Sequence, residues 1–139
     1  MRLRSLGFAG YRSFSARSPA SPDRPLQQLA IAPLTILLGK NNSGKSTTAR
    51  LLRHVLLALS SEGSDPFPVA GAGKVYARSF RDLQHQTFFL NPIDLRVGLR
   101  SESGADTELS AQLIQLTDAD DEKPIAQNLR ASSQSPLWR

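Results

Sequence analysis

Residues 34–59, LTILLGKNNSGKSTTARLLRHVLLAL, set a short apolar run, a glycine-bounded polar loop and a helical apolar stripe in direct succession. The loop, Gly39-Lys40-Asn41-Asn42-Ser43-Gly44-Lys45-Ser46, has GxxxxGK[ST] spacing, the pattern of a backbone cradle for phosphate. Gly39 and Gly44 permit backbone angles closed to other residues, so that successive N–H groups, including those of Asn41, Asn42 and Ser43, turn inward. A helix beginning near Lys45 adds its positive end to that concave set of donors. On this reading Lys45 reaches the β- and γ-phosphates of a nucleotide and Thr47 the α-phosphate. Ser46 offers a hydroxyl to Mg²⁺, a hard cation that takes oxygen ligands and keeps several waters.

The flanks agree with a strand–loop–helix unit. Leu34–Leu38 is continuously apolar, as a strand buried on both faces would be. After the loop, Leu51, Leu52, Val55, Leu56 and Leu59 recur at helical spacing, and the breaker SSEGSDPFP at 60–68 ends the helix. His54 sits among arginines and reads as a surface residue of that helix. Upstream, Met1–Phe14 reads as a first strand. SARSPASPDRP at 15–25 is a proline-rich loop, and Leu26–Ile31 a second strand antiparallel to the first. Downstream, Ile93, Leu95, Val97 and Leu99 alternate strictly with polar residues or glycine, which marks a half-exposed strand. SESGADTE at 101–108 then reads as a hairpin loop, with Leu109, Ala111 and Leu113 resuming the alternation. Phe88 and Phe89 read as core, and the polar tail suggests no definite element. The order implies an α/β fold: strands over 1–38, loop 39–47, helix 45–60 and mainly antiparallel strands over 75–130.

With 139 residues, 40% hydrophobic and 21% charged, the chain has the composition of one globular domain. The absence of cysteine excludes disulfides and thiolate metal sites. No apolar run approaches the roughly 20 residues that cross a bilayer, and the basic start lacks the apolar core of a signal peptide. The cytoplasm is therefore the expected location, with no membrane partner. The net charge is +5, and 13 of 17 basic residues are arginines; this suits an anionic partner or, equally, a solvated strand face. His54 and His85 lack companions at ligand spacing, so no all-protein metal site is expected. GAGKV at 71–75 lacks the first glycine and the hydroxyl residue of a second phosphate loop.

The form GKNNSGKST, together with the opening LGFAGYRSF, resembles the ABC-type ATPase heads of RecF, SMC and OLD-family proteins. There the Arg-Ser pair after the first-strand aromatic contacts nucleotide phosphates, which carries over to Arg12 and Ser13. The phrase PLTILLGKNNSGKST is similar to their strand-to-loop passage, and SFRDLQHQ at 79–86 to a segment after the first helix. The resemblance covers the first 60 residues well and the next 40 loosely. It implies a P-loop NTPase fold, namely the N-terminal lobe of such a head with an antiparallel β-subdomain. It further implies ATP and Mg²⁺ as cofactors, and a second head or a completing C-terminal lobe as partner. DNA is a possible further partner, in repair or defence.

Two parts of such heads are missing from the pattern. No LSGGQ-like signature occurs. The nearest candidate for a strand ending in Asp-Glu, LIQLTDADDE at 113–122, is interrupted by Gln115 and Thr117 and reads as a solvated acidic turn. No catalytic residue is assigned for that reason. The alternatives are an ATPase active once completed, a non-catalytic nucleotide-binding module, and a small-molecule kinase. The strand-rich second half argues against the kinase.

Overall fold

The computed structural model describes residues 1–15, 25–60, 67, 70–71, 74–75, 77–87, 91–115 and 125–134. Its frame is a five-stranded sheet built from β1 (Arg2–Ala9), β2 (Gln27–Ala30), β5 (Ile93–Arg100), β6 (Asp106–Ile114) and β7 (Ile125–Gln134). The strand order is β2-β1-β5-β6-β7, and every pairing is antiparallel. Two short strands, β3 (Ala70–Gly71) and β4 (Lys74–Val75), pair with each other at the GAGKV segment.

Alternation decides which face of the sheet is covered. In β5, Ile93, Leu95, Val97 and Leu99 are buried, while Arg96 between them is exposed. Leu113 of β6 and Leu6 and Phe8 of β1 join them, and the helix α1 (Lys45–Ser60) supplies Leu51 and Val55 to the same core. The opposite face carries Asp94, Arg96, Gln112 and Asn128. There Gln112 donates to Asp94 at 2.9 Å, and Asn128 donates to Gln112 at 3.3 Å.

The expected α/β, P-loop NTPase architecture is overturned by this topology. The chain is mostly β, a small antiparallel sheet with one α-helix among the described residues, and no parallel strand pair is present among them. A parallel sheet needs repeated crossover units, whereas β5, β6 and β7 follow one another as antiparallel neighbours. The clearest casualty is Leu34–Leu38. It forms no strand, and Leu34, Ile36 and Leu38 are 79%, 69% and 87% exposed. An apolar run signals burial only if a neighbouring strand is there to cover it, and the five strands of the sheet are committed elsewhere.

Three other expectations shift. The first strand ends at Ala9 rather than Phe14, because Gly10, at φ +76°, turns the chain away. The β5–β6 loop is shorter than 101–108: Ser101 donates its N–H to the Ala105 carbonyl at 2.9 Å, and Asp106 already pairs with Arg100. His54 is not a surface residue but fully buried. The acidic run 116–122, Phe88, Phe89 and the tail beyond 134 lie outside the described residues.

Candidate phosphate-binding site

The turn after β1 delivers the first wall. Gly10 is so close to the Pro92 carbonyl that a Cβ there would lie 1.9 Å from its oxygen. Phe14 donates its N–H to the Tyr11 carbonyl at 2.9 Å, closing a turn in which Arg12 adopts φ +50°. Tyr11 is fully buried. Its hydroxyl lies 3.1 Å from His54 Nδ1 on α1, and the Arg12 guanidinium lies 5.9 Å from its ring centre. This cation–π approach and the core-anchored phenol hold Arg12 at the rim.

The second wall is the glycine loop. Asn42 at φ +64° and Gly44 at φ +88° produce its curl. Gly44 is required for space as well as for angle, since a Cβ would lie 2.6 Å from Phe14 Cζ. Phe14 is itself set edge-on against Phe8, with ring centres 4.9 Å apart. At Gly39 a Cβ would meet Ser43 Oγ at 2.7 Å. Lys45 folds back so that Nζ donates to the Gly39 and Lys40 carbonyls at 2.7 and 2.6 Å. The helix opens with Thr48 donating its N–H to Gly44 O at 2.8 Å. The amides before it belong to the first turn, whose N–H groups have no intrahelical acceptor.

All but one of the residues singled out from sequence line a single cleft of about 690 Å³: Arg12, Ser13, and Asn41 through Thr47. Gly39 does not line it, but its carbonyl anchors Lys45. The cleft also has a third wall that the motif did not reveal, made by Asp82, Gln84 and Gln86. The sequence does hold a trace of it. Phe80 and Leu83, three residues apart and both buried, pin a polar segment to the core.

The polar groups of the cleft suit a hard cation arriving with phosphates. The Ser46 hydroxyl and the Asp82 carboxylate are oxygen donors on the same cavity, and oxygen is what Mg²⁺ prefers. Among the described residues no group of three or more His, Cys, Asp or Glu is arranged to hold a metal. The described residues thus offer too few such ligands to hold the ion alone.

A somewhat larger hollow, about 740 Å³, lies at the far end of β1 between Arg2, Arg4, Arg100 and residues 30–33. It is the weaker candidate. It has no amide cradle, and Arg100 is engaged by two 2.6 Å hydrogen bonds to Asp106.

No helix among the described residues is long and apolar enough to cross a membrane. No known family model matches the sequence, and no curated protein matches it significantly.

Proposed function

We propose that this chain binds ATP with Mg²⁺ in the cleft bounded by Arg12, Ser13 and residues 41–47. The observation that carries this reading is the convergence of two cations, Arg12 and Lys45, with the glycine loop and the N-terminus of α1 on one cavity. A triphosphate supplies the matching charge. The amides of the first turn of α1 take the β-phosphate, with Lys45 leaving its two carbonyl partners for the β- and γ-oxygens; the Ser43 N–H, donated to the Lys40 carbonyl at 3.3 Å, holds the curl of the loop. Ser46 contributes a hydroxyl to the metal, and Thr47 faces the α-phosphate. Arg12 and Ser13 close on the phosphates from the opposite wall.

Binding without turnover is the activity proposed for the chain by itself, because no signature segment and no catalytic acid have been identified in it. The resemblance to RecF, SMC and OLD-family heads supports a wider role, in which a partner polypeptide or a further segment completes an ATPase serving DNA repair or defence. The exposure of Leu34, Ile36 and Leu38 favours such an assembly over a self-contained module. Each such side chain gains about 1.5–3 kcal/mol on full burial.

Titration calorimetry tests the proposal. The chain should take up ATP in magnesium buffer with micromolar or weaker affinity, and Lys45→Ala should abolish the signal while leaving the fold intact. Absence of binding by the unaltered chain refutes the proposal. Repeated turnover by the pure chain refutes its non-catalytic part.

A further inference from the structure

The segment 81–87 is mounted on the Arg12 turn with unusual completeness. Arg12 donates its N–H to the Leu83 carbonyl at 2.8 Å, and His85 donates its N–H to the Gly10 carbonyl at 2.8 Å. Tyr11 and Gln84 form an antiparallel bridge. His85 Nδ1 lies 2.8 Å from the Arg12 carbonyl, so that nitrogen carries the proton and donates. Gln84 donates to the Asn91 carbonyl at 2.8 Å, and Asn91 donates back to the His85 carbonyl at 2.9 Å. With Leu83 and Phe80 buried beneath, the segment is a fixed wall.

Two exposed polar residues project from that wall onto the cleft, Asp82 and Gln86. Gln86 holds φ +58°, ψ +20°, a left-handed conformation that non-glycine residues rarely adopt. Such conformations persist where the surrounding structure enforces them, and they concentrate at ligand-holding sites. Arg12, across the same cleft, shares the left-handed conformation at φ +50°. Asp82 is the one carboxylate among the described residues lining the cleft. A carboxylate there repels a bare polyphosphate and attracts one that carries a divalent cation.

We infer that Asp82 and Gln86 make the site selective for the metal complex of its ligand: Asp82 accepts hydrogen bonds from water on a nucleotide-borne divalent cation, and Gln86 steadies the phosphate tail against the glycine loop. This rests on the nucleotide reading above and deepens it. An amide suits the second task because it both donates and accepts. Among the described residues the side chain of Asp82 accepts the Arg78 N–H at 3.0 Å, and asparagine can take over that duty with its own oxygen.

The test compares ATP binding by the full 139-residue chain in magnesium and in EDTA for the unaltered protein, Asp82→Asn and Gln86→Gly. With magnesium, Asp82→Asn should weaken binding about tenfold, the scale of one lost charge-assisted hydrogen bond. In EDTA the same variant should bind ATP more tightly than the unaltered chain, since a repelling charge is gone. Gln86→Gly should weaken binding about tenfold in both buffers, with thermal melting alongside to show that the variant, whose glycine accepts the left-handed backbone, still folds. Equal effects of Asp82→Asn in the two buffers, or none, overturn the role of Asp82. Unchanged affinity in Gln86→Gly overturns that of Gln86. If the unaltered chain binds ATP in neither buffer, the nucleotide reading itself fails and this inference falls with it.

Discussion

The Tyr11 hydroxyl lies 3.1 Å from Nδ1 of His54, joining the turn that carries Arg12 to the helix that carries Lys45. His54 also meets Phe67 edge-on, with ring centres 5.2 Å apart, and Phe67 meets Phe80 at 6.4 Å. An aromatic file thus runs from the base of the 81–87 segment to the base of the cleft. The file keeps its two titratable members uncharged. Burial, opposed by the neighbouring Arg12 charge, raises the Tyr11 phenol above its ordinary range. Burial, reinforced by Arg12, depresses His54 from the ordinary 6.5 to about 4.

A pH dependence of stability follows. Between pH 6.5 and 4 the unfolded chain protonates His54 and the folded chain does not. The unfolded state therefore binds more protons, and stability falls as pH falls through that window. Urea unfolding at several pH values should show this loss. His54→Asn, which retains an acceptor for Tyr11, should flatten the slope between pH 6.5 and 4 even though it lowers stability at neutral pH.

Gly10→Ala should be among the most damaging substitutions in the chain. Its methyl group would lie 1.9 Å from a backbone oxygen at φ +76°, so neither a rotamer change nor a small backbone adjustment relieves it. A loss of more than about 3 kcal/mol is expected, read as a collapse of the thermal transition.

Gly44→Ala tests the coupling between the loop and Phe14. The new methyl would meet Phe14 Cζ at 2.6 Å, so ATP affinity and stability should both fall. Combining it with Phe14→Ala removes the clash but not the backbone strain at φ +88°. The double variant should therefore be less destabilised than the sum of the singles, by about 1 kcal/mol.

Replacing Ile36 with Lys should leave the stability of the isolated chain within about 0.5 kcal/mol of its starting value, as for other surface changes. It should also reduce self-association measured by light scattering, because a 69% exposed isoleucine is exchanged for a charge. A large loss of stability would mean that residues 34–38 are covered after all.

What was legible in the sequence was what local pattern fixes. The helix over 45–60, the alternation of β5 and the antiparallel partner of β1 were all readable from spacing, whereas Arg12 and Ser13, which line the cleft with residues 41–47, came only from the family resemblance. Four things were not. The apolar continuity of Leu34–Leu38 suggests burial, but coverage belongs to the neighbours of a segment and not to the segment. The arginine neighbours of His54 suggest exposure, although it lies three residues after Leu51 on the helix stripe and next to Val55, both buried. The last strand, β7, gave no alternation because the register slips between Ser110 and Gln112, opposite Asn128 at φ +52°. A bulge of that kind scrambles the period-2 signal by which a strand is recognised. The Asp82–Gln86 wall depends on contacts about 70 residues apart in sequence, such as His85 with Arg12.

Residues 34–38 run directly into Gly39, whose carbonyl is one of the two that tether the Lys45 ammonium. Any polypeptide that zips onto this bare stretch also fixes one abutment of the loop, and so changes how readily the ammonium can be released to an incoming anion. Thermodynamic linkage makes the effect mutual: cargo in the cradle would tighten the grip on the docking chain by the same factor that docking tightens the grip on cargo.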